Sequence, residues 1–139
     1  KGKKILFDTG VSEKMINNAR KLNIPLEDVD ICVISHWHFD HTGGLEKLLE
    51  LNNKVKVYIK KSDSNEFYFK LGFLKKFIGV PPVVFEKYKD RLEFISDDVE
   101  PVSGLTLHTD IERTRPLVRG NSKLLKKVGK GYIQDDFTQ

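Results

Sequence analysis

The run His36-Trp37-His38-Phe39-Asp40-His41, followed by Thr42-Gly43-Gly44, holds three of the chain's four histidines and a carboxylate. Neutral imidazole and carboxylate oxygen are donors for zinc, iron or manganese. Calcium prefers a shell of oxygens, and the single cysteine, Cys32, is too few for a thiolate site. Four donors so close together exceed what one catalytic ion with an open position needs. Two divalent ions sharing a water, about 3.5–4 Å apart, match the count. His36 and His38 then form one arm and Asp40 and His41 the other. A closed structural site and a metal-free polar loop are the simpler alternatives, and both leave the crowding of donors without a reason.

Such donors need a scaffold on either side. Ile31-Cys32-Val33-Ile34 is a short apolar, β-branched run that reads as a buried strand. The polar cluster begins beyond its carboxyl end, where open α/β sheets usually place ligands. Thr42 is a candidate helix cap, and Leu45, Leu48 and Leu49 form an apolar stripe at helical spacing. Gly43-Gly44 lets the backbone pass close to the site. Cys32 reads as packing within its strand, whereas Trp37 either lines a metal cleft or packs in the core. Upstream, Met15, Ile16, Ala19 and Leu22 give a helix after Ser12 an apolar face, and Asn23 with Pro25 ends it. Downstream, Val55, Val57 and Ile59 alternate with Lys56 and Tyr58 as a strand with one covered face.

The pattern His36-x-His38-x-Asp40-His41 resembles the signature of the metallo-β-lactamase superfamily, and Ile5-Leu6-Phe7-Asp8-Thr9-Gly10 is similar to the strand and loop before that family's first helix. Asn18-Ala19, Asp28-Val29-Asp30 and residues 35–44 most resemble the branch related to the dihydropterin-ribofuranosyl-aminobenzene-phosphate synthase of methanopterin biosynthesis. The resemblance implies an α/β fold, a four-layer αββα sandwich, with residues 1–139 forming an incomplete portion that lacks the opening hairpin and the C-terminal half. It also implies His36 and His38 on a first metal with a later histidine, Asp40 and His41 on a second, and Asp40 as the catalytic proton holder. Asp8 then orients a ligand imidazole from beneath, although an aspartate before Thr-Gly is equally a turn residue. The implied chemistry is hydrolysis by metal-activated water of a small anionic ester or phosphoester, with zinc as the metal and iron or manganese as alternatives. Pterin-linked carbon–nitrogen bond formation with pyrophosphate release is a second expectation, and a nonenzymatic metal-containing interaction or sensor fragment a third.

Farther along, Phe67, Leu71, Leu74 and Ile78 form a helical stripe that Phe69, Phe73 and Phe77 broaden. A helix over 64–79 is therefore expected, serving as core packing, a homodimer contact or a lid. Gly79-Val80-Pro81-Pro82 breaks it, and short strands are expected at Val83-Val84-Phe85 and Leu92-Glu93-Phe94-Ile95. His108 follows the apolar Leu105-Thr106-Leu107 run and is either a further metal ligand or a surface histidine. Arg113 and Arg115 suit a substrate phosphate or carboxylate, or simply an exposed charged stretch.

The net charge of +4 favours anionic partners without fixing their size. Lysines are dispersed and not interleaved with aromatics, so a nucleic-acid partner is not expected and a small anionic substrate is. No apolar run is long enough to span a bilayer, no signal peptide opens the chain, and one cysteine offers no disulfide framework, which together suggest a cytoplasmic protein.

Overall fold

A computed structural model describes residues 2–109, 111–112 and 114–137. Its centre is a four-stranded parallel sheet of β1 (Ile5–Phe7), β2 (Ile31–Ile34), β3 (Lys56–Lys60) and β6 (Leu92–Ile95), in the order β1-β2-β3-β6. The register sets Leu6, Cys32, Val57 and Leu92 side by side. Alternation then puts Ile34, Ile59 and Phe94 on the same face. Against this face pack Ile16 and Ala19 of α1 (Lys14–Lys21), Leu45, Leu48 and Leu49 of α3 (Leu45–Leu51), and Val84 of α4 (Pro82–Lys87). The strand at Ile31–Ile34 and the leucine stripe are thus where the hydrophobic pattern puts them, and Cys32 is wholly buried packing.

Between β2 and α3 lies one helical turn, α2 (Phe39–Thr42), that carries Asp40 and His41. Thr42 does not cap α3. It sits inside this turn, and its hydroxyl donates to the His38 carbonyl at 2.9 Å, while Gly44 precedes α3. The first helix ends as expected, with Asn23 in the left-handed region at φ 54°.

The segment 64–79 is not a helix. It forms a hairpin of β4 (Phe67–Leu71) and β5 (Leu74–Phe77), turned at Gly72 with φ 59°. The spacing of Phe67, Leu71, Leu74 and Ile78 suits a helix, but strand alternation buries Phe67 and half-buries Phe69. Phe73, at the turn, is 92% exposed. Pairing with β9 (Leu124–Val128), itself paired with β10 (Gly131–Gln134), completes an antiparallel sheet in the order β10-β9-β4-β5. Non-local pairing thereby overrides the local helical period. Val83-Val84-Phe85 is also corrected, to α4, because Pro82 at its first position is preset for helical φ. The strand at 92–95 is present as β6, and β7 (Val99–Val102) pairs with β8 (Leu105–Leu107) in a separate hairpin. Among the described residues no helix is long and apolar enough to cross a membrane.

Candidate metal centre

Three anchors shape the loop after β2. Trp37 is 1% exposed and lies against Phe67, Phe85 and Phe94, with its indole N–H donating to the Lys60 carbonyl at 2.9 Å. It is therefore core packing, and it anchors the loop between His36 and His38. The Phe39 N–H donates to the Ile78 carbonyl at 2.7 Å, which ties the loop to the second sheet. The Thr9 N–H and hydroxyl both donate to the His41 carbonyl, at 2.7 and 2.9 Å. Gly43 and Gly44 make this approach possible: a Cβ would lie 2.1 Å from the Val11 carbonyl oxygen at Gly43 and 2.4 Å from that of Thr9 at Gly44.

The loop so held brings one ligand atom each from His36, His38 and Asp40 within 4.8 Å of one another. His41 Nε2 stands 3.7 Å from Asp40 Oδ2, and the His36 and His41 ring centroids are 3.9 Å apart. Asp40 therefore stands within reach of both the histidine pair and His41, whose ring lies directly against that of His36. His38 is buried, the His41 side chain is 33% exposed and that of Asp40 56%, so the cluster opens to solvent on the Asp40 side.

Hydrogen counting fixes which ring nitrogens face the cluster. Asp8, at the end of β1 with φ 59°, accepts the Ser35 N–H at Oδ1 (2.8 Å). Its Oδ2 accepts the Ser35 hydroxyl (2.8 Å) and His41 Nδ1–H (2.7 Å). With the Ser35 proton committed to Asp8, the hydroxyl oxygen accepts from His36 Nδ1, 3.0 Å away. Both imidazoles then carry their proton on Nδ1 and turn the Nε2 lone pair outward. His36 is also held neutral: burial first, then the neighbouring His41 and His38, push its pKa down to about 4. Oriented imidazoles beside a carboxylate are a donor set suited to a divalent ion of the zinc type.

Two further side chains reach the cluster from the second sheet's end and were not foreseen as site residues. Asp135, 0% exposed, places Oδ2 2.7 Å from His38 Nε2. The Phe137 ring lies 5.6 Å from His36 and 5.2 Å from His38, centroid to centroid. The segment Tyr132-Ile133-Gln134-Asp135-Asp136-Phe137 resembles the stretch that precedes the family's later histidine ligand, but that resemblance marks neither residue as part of the site, because their partners are distant in sequence. Ser35, directly after β2, is a third: its hydroxyl joins Asp8 to His36.

His108 goes elsewhere: its Nδ1 is 2.6 Å from Asp98 Oδ2 on an exposed surface. With Phe7, Ser35, Tyr58, Lys60 and Phe137 it lines a cleft of about 860 Å³ next to the cluster. Lys60 Nζ donates there to the Thr109 carbonyl. Arg115 is exposed, and Arg113 lies outside the described residues.

The metallo-beta-lactamase superfamily profile matches residues 1–118, and the chain belongs to that superfamily. Membership implies divalent-metal binding, and a cluster of His36, His38 and Asp40 able to hold an ion is present. The chain is 41% identical over 58 residues to the 7,8-dihydropterin-6-methyl-4-(beta-D-ribofuranosyl)-aminobenzene-5'-phosphate synthase of Methanocaldococcus jannaschii, a match covering 40% of this chain and 20% of the synthase. It is 34% identical over 70 residues to the beta-lactamase-like protein 2 homolog of Caenorhabditis elegans, covering 46% of this chain and 24% of that protein. In fold it resembles Tm1679, a metal-dependent hydrolase of the beta-lactamase superfamily, with a TM-score of 0.72 and 24% identity over 94% of this chain. That match spans 46% of the solved chain, so the present sequence covers about half its length. The architecture is accordingly the superfamily's α/β fold, matched over part of the larger relative.

Proposed function

We propose that the chain carries the metal-binding loop of a hydrolase acting on a small anionic ester or phosphoester. The observation that carries this reading is the convergence of His36, His38 and Asp40 within 4.8 Å, with His41 Nε2 3.7 Å from Asp40. In this reading His36 and His38 hold one divalent ion and Asp40 and His41 a second, zinc being the metal that suits the donors. Such ions supply Lewis acidity and bring water's ionisation toward neutral pH. The chain's own residues do the rest. Asp8 and Ser35 hold the His36 and His41 rings at Nδ1, which would leave Nε2 of each to hold a cation. Asp40, half exposed, accepts the proton that attacking water gives up and is placed to return one to a leaving group. The adjoining cleft, walled by Phe7, Tyr58 and Phe137, receives the organic part of the substrate.

A second reading, carbon–nitrogen bond formation on a pterin, is favoured by the 41% identity to the Methanocaldococcus synthase. One experiment separates the readings: zinc-loaded and cobalt-loaded protein is assayed against aryl phosphoesters and esters, with the Asp40→Ala variant alongside. The hydrolase reading predicts metal-dependent turnover that falls at least about 100-fold in the variant, as for loss of a general acid–base. Turnover unchanged by Asp40→Ala sinks the role. No hydrolysis of any ester, together with pyrophosphate release from a pterin diphosphate, moves the assignment to the synthase.

A further inference from the structure

We propose that Asp135 is a positioning residue of the centre, acting on the bound cation through the His38 imidazole; the inference rests on the metal reading above. Asp135 is 0% exposed and His38 only 4%, so their contact is sealed from water. Asp135 Oδ2 lies 2.7 Å from His38 Nε2 but off the line of a ring N–H, and Nε2 makes no hydrogen bond. The contact is thus a buried carboxyl group set against the edge of an imidazole, and burial makes the geometry of such a polar contact matter.

The position of Asp135 on the ring edge places it behind the imidazole: it meets His38 Nε2 at the 2.7 Å at which Asp8 Oδ2 meets His41 Nδ1, although only the Asp8 contact has hydrogen-bond geometry. With Nε2 facing Asp135, His38 presents Nδ1. A carboxylate opposite the coordinating nitrogen raises the basicity of the ligand and fixes the ring.

The fold holds Asp135 firmly. Its N–H donates to the Leu124 carbonyl at 2.9 Å, and its Oδ1 accepts the Phe137 N–H at 3.0 Å. The next residue, Asp136, lies 3.0 Å from Lys126 Nζ, a side chain only 3% exposed that also binds Asp63 at 2.9 Å. The end of β10 is therefore pinned on both sides, and the antiparallel sheet takes part in a site whose motif belongs entirely to the parallel one. Full burial of an aspartate is rare unless it is paired, and here the pairing is with a candidate ligand.

The test is a double-mutant cycle in metal affinity, read by chelator competition for zinc and by the visible spectrum of the cobalt-loaded chain. Asp135→Asn is expected to lower zinc affinity by about 10–100-fold and to shift the cobalt bands. In a His38→Ala background the same substitution should change affinity less than twofold, because the path runs through His38. Parent affinity retained by Asp135→Asn overturns the proposal, as does an equal loss in both backgrounds, which would make Asp135 independent of His38. Should Asp135→Asn not fold, Asp135→Glu keeps the charge but displaces it, and the same cycle applies with the same outcomes. Failure of the parent chain to bind zinc or cobalt overturns the metal reading itself, so the two failures are distinguishable.

Discussion

Replacing Asp8 by Asn tests how the site is wired. The substitution leaves the backbone alone, because asparagine tolerates the left-handed conformation of Asp8 (φ 59°) as aspartate does. It keeps one oxygen to accept the Ser35 N–H, now 2.8 Å from Oδ1. At the other atom it offers an NH2 group to the Ser35 hydroxyl and to His41 Nδ1, both of which now donate to Oδ2. His41 must then accept at Nδ1, which moves its proton to Nε2, the nitrogen that faces Asp40. The Ser35 hydroxyl proton, displaced from Asp8, turns to His36 Nδ1 and shifts that tautomer the same way. Two imidazoles lose their outward lone pairs unless a proton is expelled. A partner of this kind is worth about 10–100-fold in metal affinity, which is about 1.4–2.8 kcal/mol at about 1.4 kcal/mol per tenfold. Zinc affinity by chelator competition reads the effect, and a melt of the metal-free variant checks that the fold is intact. An affinity within twofold of the parent would refute the tautomer argument.

Three further outcomes follow from packing and exposure. Gly43→Ala should destabilise the chain by about 1–3 kcal/mol or more, since its Cβ would meet the Val11 carbonyl at 2.1 Å; a urea midpoint equal to the parent's would contradict this. Trp37→Ala should cost about 3–5 kcal/mol in urea unfolding, as for other buried aromatic truncations, and a loss under about 1 kcal/mol would mean that Trp37 does not anchor the loop. Cys32 is buried, and desolvation first and Asp8 second raise its thiol pKa to about 12. Iodoacetamide at pH 8 should therefore label Cys32 only after denaturant is added, and rapid labelling of the folded chain would contradict its burial.

What could be read from the sequence was what is local. The donors sit within six residues, and the apolar runs flanking them are consecutive, so β2, the ligand loop and α3 all followed from pattern. Asp8 was placed through family resemblance, and its bond to His41 gives that placement a physical form. Segment 64–79 misled because Phe67, Leu71, Leu74 and Ile78 fall at helical spacing, although the hairpin buries only Phe67 and Ile78 of the four, and the overriding signal, the positive-φ Gly72, is one residue among many. Thr42 misled because its hydroxyl bonds back to the His38 carbonyl within the turn. Asp135 could not be found at all by spacing, since only the pairing of β10, β9 and β4 carries it to His38.

The most direct test of the central claim is elemental analysis of divalent metal per chain, on the parent and on a His36→Ala/His38→Ala double variant, both after dialysis with zinc. The account predicts two equivalents in the parent and at most one in the variant, because one of the two arms is removed. A parent that retains no metal, or a variant that retains as much as the parent, would contradict the assignment of this cluster as the metal centre.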